Sequence, residues 1–205
     1  GYSINMAQMK DEEAVVSMAY NLSAYYRYTT RMERETASLE EEVRLLVNYL
    51  DIQKLRNGRI EYHIDIPAEM LTQLVPRLML QPIVENSVIH GVGKSYTSGE
   101  IRITGEMVDG FCKVYIDDDG PGMNPEQEEA LNRKMLEPLQ EEMGCGLWNT
   151  NQRVVHQFGN HSYLKFMKSP LGGLRTEVVW ELPSGQELYP QSSQQGDLQH
   201  ANAHS

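Results

Sequence analysis

Four short segments of this 205-residue chain combine residue types and spacings that could do chemistry. The first is Leu80-Gln81-Pro82-Ile83-Val84-Glu85-Asn86-Ser87-Val88-Ile89-His90-Gly91. An apolar helix here presents Glu85, Asn86 and His90, and polar groups on a core helix must be hydrogen-bonded or bind something. An Asn amide oxygen is a hard ligand, suited to a Mg²⁺ ion that already shares phosphate oxygens. His90 taken alone reads as a helix C-terminus near the last carbonyls, with Gly91 as the stop. The second segment, Asp117-Asp118-Asp119-Gly120-Pro121-Gly122-Met123, follows an apolar strand. An EF-hand calcium loop needs acids at positions 1, 3 and 5 before Gly at 6. With Gly120 at position 6, position 1 is Tyr115, so that pattern fails. Two readings remain: a plain acidic turn, or a pocket floor. In the second, a carboxylate at a strand end accepts a hydrogen bond and two glycines let a flat ring approach the backbone. The third segment, Gly144-Cys145-Gly146-Leu147-Trp148-Asn149, opens a helix, where exposed amides and the positive dipole end favour phosphate. It is not the dinucleotide fingerprint, because position 149 is Asn, and it lacks the Gly-Lys-Ser/Thr of a Walker loop. The fourth, Gly172-Gly173-Leu174-Arg175-Thr176, turns into a strand and by itself fits a simple hairpin.

These segments need elements to hold them. Residues 58–183 read as a mixed domain. Arg59–Ile66 alternates, with Ile60, Tyr62, Ile64 and Ile66 on one face of a half-buried strand. A helix is expected after Pro76, a residue suited to a first helical position, carrying Leu78, Leu80, Ile83, Val84 and Val88. Strands follow at Glu100–Met107, Phe111–Asp117, Tyr163–Lys168 and Leu174–Leu182, with a turn at Asp109-Gly110 and a helix at Leu147–Phe158. Strands grouped with intervening helices predict an α+β layered domain. Upstream, residues 37–57 form a linker helix: Ser38 and Glu41 make a capping box, Leu39, Val43, Leu46 and Leu50 recur at helical spacing, and Asn57-Gly58 stops it. That stripe reads as a packing seam. Residues 1–36 open with acids at Asp11–Glu13, then place Val15, Met18, Ala19, Leu22, Tyr25 and Tyr26 at helical spacing. Residues 184–205, rich in Gln, Ser, Gly, His and Asn, read as a flexible tail. His200 and His204 lie four apart in it, and solvated tail residues are favoured over a metal site.

Composition excludes several function classes. Hydrophobic residues make up 40% and charged residues 23%, an ordinary globular balance. The longest apolar run is three residues, as at Leu45-Leu46-Val47, against about 20 for a membrane-spanning helix. Net charge −11 opposes a nucleic-acid partner. Cys112 and Cys145 alone make no disulfide framework, so a cytoplasmic setting is expected.

The order of the four segments is more specific than any of them. An Asn on a helix is followed by Asp-x-Gly-x-Gly after a strand, then Gly-x-Gly-Leu, then Gly and Thr before a final strand. This arrangement resembles the ATP-binding fold shared by sensor histidine kinases, gyrase-type ATPases and Hsp90 chaperones. Within that group it is most similar to the YesM/LytS-like bacterial sensor histidine kinases. Leu80–Gly91 resembles their N box, Asp118–Gly122 their G1 box, and Gly144–Asn149 with Arg153 their G2 box. Leu39-x-x-Glu42 and Tyr49-Leu50-x-Ile52-Gln53-Lys54-x-Arg56 are similar to the helix preceding their catalytic domain, and Leu22–Tyr28 to the helix before it. The likeness covers about residues 6–183.

The resemblance implies a two-layer α/β sandwich of the Bergerat type, preceded by helices of a dimerisation and histidine-phosphotransfer region. It implies ATP and Mg²⁺ as ligands, with Asn86 holding the metal. Asp118 would take the adenine amino group, with Gly120, Gly122 and Met123 lining the slot. Amides near Gly144, Gly146 and Leu147 would cradle phosphate, Thr176 would support the adenine end, and His90 and Lys134 would also face the nucleotide. Asn124–Met143 would be a mobile lid. Asn86, and Glu85 beside it, are the candidate catalytic side chains. The reaction would pass the ATP γ-phosphate to a histidine and thence to an aspartate of a response regulator. The whole protein would be a homodimer anchored to a membrane by a segment outside this chain.

Three positions depart from the family pattern. Ile89 stands where many relatives have Lys, so Lys134 or Arg133 would have to supply that charge. Pro82 stands where gyrase-type ATPases place a catalytic Glu, which disfavours hydrolysis relative to transfer. Arg175 stands where the family usually has Gly. The phosphoacceptor motif, similar to Asn-Pro-His-Phe-Leu-Tyr-Asn, does not occur, and none of the six histidines has its context. The chain is therefore expected to be a fragment that binds ATP without phosphorylating itself. The alternatives are a non-enzymatic nucleotide-binding scaffold, motivated by Ile89 and Arg175, and a hydrolysing ATPase of the wider fold.

Overall fold

The first long helix begins where the chain supplies its own cap. Ser38 N donates to Glu41 Oε2 (2.9 Å) and Glu41 N donates back to Ser38 Oγ (3.2 Å), closing the capping box that starts α1, Leu39–Asn57. Glu40, Glu41 and Glu42 lie in its first turn and Lys54 and Arg56 in its last, each complementing the helix dipole. The side turned inward carries Leu39, Glu42, Leu46 and Leu50, all without exposed surface, while Val43 is only partly buried. Tyr62 hydroxyl donates to Asp51 (2.6 Å), tying the far end of α1 to the neighbouring strand. The computed structural model describes residues 35–91, 99–137 and 145–182. The helical readings over residues 1–34, the tail reading over 184–205 and Gly144 lie outside the described residues.

Five strands form one sheet: β2 (Ile60–Asp65), β4 (Gly99–Val108), β5 (Phe111–Asp118), β6 (Tyr163–Lys168) and β7 (Leu174–Glu181), in the order β2-β4-β5-β7-β6. Only the β2–β4 pairing is parallel. Its crossover holds a short helix α2 (Ala68–Leu71), strand β3 (Leu74–Pro76) and helix α3 (Gln81–Asn86), which runs into a π turn at Ser87–Gly91. β3 pairs antiparallel with β1 (Thr36–Ser38) in a separate two-stranded ribbon that the sequence reading did not anticipate. That ribbon moves the start of α3. Pro76 ends β3 opposite Thr36 instead of opening a helix, and Pro82 takes the first-turn position, where a missing N–H costs little.

The strand period decides what faces what. Ile101, Ile103, Cys112, Val114, Ile116, Val178 and Trp180 point to one side and are buried under the helices. α5 (Cys145–Phe158) seats Val154 in this core and stacks Phe158 on Trp180, with ring centroids 5.7 Å apart. α4 (Pro125–Leu136) starts from a capping box made by Asn124 and Gln127. It is clamped to the edge strand β6 by Asn132, whose amide donates to Phe166 O and accepts from Phe166 N, both at 2.8 Å. The side chain thus occupies backbone groups that an edge strand otherwise leaves open. The first half of the segment read as a lid is therefore a packed helix. The architecture is the two-layer α+β sandwich expected, with α1, α3, α4 and α5 on one face of the sheet.

Candidate functional site

Asp118 ends β5 on the helix-covered side of the sheet, and its surroundings are built around its carboxylate. Oδ1 accepts from Gly120 N (3.0 Å) and Leu174 N (3.1 Å), and the Ser87 hydroxyl bonds to the same group. Its backbone carbonyl accepts from Gly173 N (3.1 Å). The packing is closer than any side chain allows. A Cβ on Gly91 would sit 2.7 Å from Asp118 Cγ, and one on Gly173 would overlap Asp118 Oδ1. A Cβ on Gly120 would overlap the backbone of Gly91. Glycine at these positions lets the π turn, the end of β5 and the start of β7 converge on one carboxylate. Burial raises the Asp118 pKa above the usual Asp value, opposed by the bonds from Leu174, Gly120 and Ser87. The ionised group is thus held at a desolvation cost, as expected of a carboxylate kept for a ligand.

This carboxylate opens onto a cavity of about 260 Å³ lined by Asn86, His90, Gly91, Asp118, Gly122, Met123, Leu131, Leu147 and Leu174. Its polar side chains are Asn86, His90 and Asp118. The walls are apolar, from Met123, Leu131, Leu147 and Leu174. An apolar slot with a few fixed polar groups is the general form of a small-molecule site.

Six of the sequence-predicted residues therefore share one cavity wall: Asn86, His90, Asp118, Gly122, Met123 and Leu147. The others stand apart from it. Gly120 packs behind Asp118. Gly146 is exposed in the first turn of α5, and Thr176 is buried inside the sheet opposite Ile116. Glu85 accepts from Gln81 Nε2 (2.9 Å). Lys134 is exposed on α4. Sequence reasoning missed Ser87, Leu131, Leu174 and the structural need for glycine at 91 and 173. The available signal was slight: Gly91 was legible only as a helix stop, and Ser87 as an ordinary helical residue.

Arg175 lies on the opposite face of the sheet. It is one residue past Leu174, so the strand period turns it away from the cavity. Its guanidinium makes a two-pronged bond to Asp117, Nε to Oδ1 and Nη2 to Oδ2, both at 2.8 Å, and stands 4.5 Å over the Tyr115 ring. Asp117 is its cross-strand partner and also accepts from Ser169 Oγ. The arginine completes a pair in the sheet instead of filling the pocket.

The residues present bear on which groups fit. Among the described residues no cluster of three or more His, Cys, Asp or Glu could hold a metal ion. Asn86 alone offers a side-chain amide oxygen among the residues lining the cavity. That donor set does not hold a free ion, but it suits a hard cation whose remaining ligands are phosphate oxygens and water. The N-terminal turn of α5, beginning at Cys145, lies beside the cavity through Leu147. No helix among the described residues is long and apolar enough to cross a membrane.

A family model described as histidine kinase-, DNA gyrase B-, and HSP90-like ATPase matches residues 72–186. A second, described as histidine kinase, matches residues 2–60. The chain is similar to the sensor histidine kinase YesM of Bacillus subtilis (strain 168), 27% identical over 188 residues, which cover 91% of this chain and 31% of YesM. It is also similar to the sensor protein kinase HptS of Staphylococcus aureus (strain bovine RF122 / ET3-1), 28% identical over 169 residues, which cover 82% of this chain and 32% of HptS. The chain thus spans under a third of the length of either relative. The catalytic domain of histidine kinase ThkA shares the fold, with a TM-score of 0.53 at 21% identity over 73% of this chain and 97% of that one.

Proposed function

The chain belongs to the histidine kinase-, DNA gyrase B- and HSP90-like ATPase family, and on that premise we propose that it works in a two-component sensor kinase, binding Mg-ATP for transfer of the γ-phosphate to a histidine. The observation that carries this reading is the Asp118 carboxylate, fixed by Gly120, Leu174 and Ser87 at the end of an apolar slot. A fixed acceptor beside a flat apolar wall selects a ring that bears a hydrogen-bond donor, and the adenine amino group is such a donor.

In the proposed complex, Asp118 accepts from that amino group while Met123, Leu131 and Leu174 enclose the ring. The polyphosphate runs toward Asn86 and the first turn of α5. Asn86 would hold a Mg²⁺ ion through its amide oxygen, and that ion would supply charge neutralisation for the phosphates. Leu147, in the first turn of α5, lines the same cavity, and a helix N-terminus suits phosphate. Phosphoryl transfer asks mainly for positioning and charge neutralisation. Glu85 is bonded to Gln81 and does not line the cavity. The acceptor histidine, the response regulator, dimerisation and membrane attachment belong to the same proposal for the whole protein.

A nucleotide-binding scaffold without transfer is the second reading. Ile89 still motivates it, being 59% exposed with no cation in its place. Arg175 no longer does, since it pairs with Asp117 on the far face. The test is calorimetric titration with a non-hydrolysable ATP analogue, with and without Mg²⁺. Binding that Asp118→Asn weakens at least about tenfold, and whose Mg²⁺ dependence Asn86→Ala removes, supports the site. Phosphorylation of an acceptor helix supplied in trans then separates kinase from scaffold. A folded wild type that binds no nucleotide at millimolar concentration, weaker than about −4 kcal/mol, overturns both readings.

A further inference from the structure

Glu42 is the one acid of α1 with no exposed surface. Burying a carboxylate is costly unless donors compensate it. Its two oxygens each take a different backbone amide: Oε1 accepts from Leu78 N (2.8 Å) and Oε2 from Leu80 N (3.3 Å). Leu80 is the N-cap of α3, the helix that ends in Asn86. Leu78 has φ 56°, a left-handed conformation that a leucine adopts only when its surroundings impose it. The carbonyl of Arg77, next in the chain, accepts from the Arg153 guanidinium of α5. Arg77 N donates to Glu35 O just ahead of β1 (3.0 Å). The strained turn before α3 is thus tied at once to α1 and to α5, whose first turn lines the cavity through Leu147.

We propose that Glu42 is a positioning residue for Asn86: its carboxylate sets the N-terminal end of α3 and so carries the placement of the linker helix α1 to the metal end of the pocket. The inference rests on the reading of Asn86 given above. The lever is short. Asn86 follows Leu80 by six residues, about 9 Å along a helix axis. Buried Ile83 and Val84 between them leave α3 little room to flex. Asp118 is held instead by the Gly120 and Leu174 amides at the ends of β5 and β7, with Ser87 of the π turn as a further donor. Displacing Glu42 should therefore disturb the Asn86 end of the site more than the Asp118 end, where the Gly120 and Leu174 amides stay in place.

The experiment titrates a non-hydrolysable ATP analogue into wild type, Glu42→Gln and Asn86→Ala, each with and without Mg²⁺, with circular dichroism and melting as checks of the fold. Gln keeps the size but turns an NH₂ toward one of the two amides. The expected result is a folded Glu42→Gln that loses about tenfold of its Mg²⁺-dependent gain, as outer-shell partners of a metal ligand do. Its Mg²⁺-free affinity should stay within about twofold of wild type. A folded variant with the full Mg²⁺ gain overturns the proposal, and so does a parallel loss of both affinities, which marks a merely structural role. If Glu42→Gln does not fold, Glu42→Asp keeps the charge and withdraws it by one methylene. The same split is expected, smaller, and its absence overturns the proposal. If wild type binds no nucleotide, the site reading fails by itself, and the linkage is read in NMR spectra of Glu42→Gln. The Asn86 side-chain amide resonances should then move while Gly120 stays, and unmoved Asn86 resonances overturn it.

Discussion

Replacing Asp118 by Asn should strengthen the fold and ruin the site in one step. The side chains are nearly isosteric, and Asn Oδ1 can still accept from Gly120 N and Leu174 N. What changes is the other atom, an acceptor turned into a donor that meets the adenine amino group with like polarity. A hydrogen bond to a charged partner contributes about 1.5–3 kcal/mol. Losing it should weaken nucleotide binding about 10- to 150-fold at pH 7. The stability effect has the opposite sign. Burial raises the Asp118 pKa above its unfolded value, so the folded state holds this proton more tightly than the unfolded one. That contribution is fully present below the unfolded pKa, near 3.8, and is lost as pH rises through the folded value. At pH 7 the wild type carries a buried charge that Asn removes, so the variant should melt higher. Near pH 3.5 the advantage should vanish.

Two assays decide it: calorimetry with the ATP analogue at pH 7, and melting of both proteins at pH 7 and at acid pH. Wild-type affinity in Asp118→Asn refutes the role of the carboxylate. A variant that loses affinity and also melts lower at pH 7 refutes the argument in another way, because the loss then comes from a damaged pocket floor. Nucleotide affinity of the wild type should itself fall as pH drops below the raised Asp118 pKa, since a protonated carboxyl no longer accepts freely.

The other predictions separate the site from its scaffold. Gly173→Ala should cost about 1–3 kcal/mol in denaturant melts and abolish nucleotide binding, because its Cβ overlaps Asp118, whereas Gly110→Ala, in open space at φ 81°, should cost about 1 kcal/mol and leave binding intact. Arg175→Gly, which puts in the glycine expected at this turn from the family resemblance, should not raise nucleotide affinity and should destabilise by up to about 3 kcal/mol, since Asp117 is 97% buried with this partner; tighter binding would refute the far-face placement. Cys112 is fully buried with its thiol pushed up to about 11, so in a Cys145→Ser background a thiol reagent at pH 8 should react only after denaturant is added. Asn132→Ala removes the amide bonds to both backbone groups of Phe166, and should cost about 1–3 kcal/mol and promote aggregation through the freed β6 edge, read by melting and light scattering.

Much of this fold was legible because its signals are local. The Ser38–Glu41 capping box, the alternation of β2 and the Asp109-Gly110 turn are set by neighbours in sequence, and the structure has each within a residue or two of its expected place. The miss at Pro76 came from a distant partner. Nothing between residues 74 and 80 announces that Thr36–Ser38 will pair with Leu74–Pro76, or that Glu42 will hold the amides of Leu78 and Leu80. Glu42 was legible only as part of the Leu39-x-x-Glu42 pattern of the linker helix, which names no partner for it. The α4 helix was obscured by the lid reading of an acidic stretch, although Asn124 and Gln127 are a capping pair.

The triple acid Asp117-Asp118-Asp119 shows how one strand turns a sequence cluster into separate functions. As a string it invites a calcium-loop reading, which the place of Gly120 excludes, and leaves an acidic turn or a pocket floor. The strand period splits the cluster. Asp118 lies on the helix side and accepts from the Leu174 and Gly120 amides at the cavity wall. Asp117 lies on the other side, in a two-pronged pair with Arg175 and a bond from Ser169. Asp119, past the end of the strand, is exposed and uses its backbone N–H to reach Glu100 O (3.2 Å). The same parity sorts β7: Leu174 lines the cavity, Arg175 pairs across the far face, and Thr176 returns to the interior. An arginine in the last glycine turn is thus compatible with an open pocket, because it answers Asp117 one face away. Two of the three expected departures from the family pattern carry different weight for that reason. Arg175 comes with a compensating acid, while Ile89 is exposed and, under the proposed function, would leave the phosphates one cation short. Any test of catalytic competence should therefore begin at position 89 and not at 175.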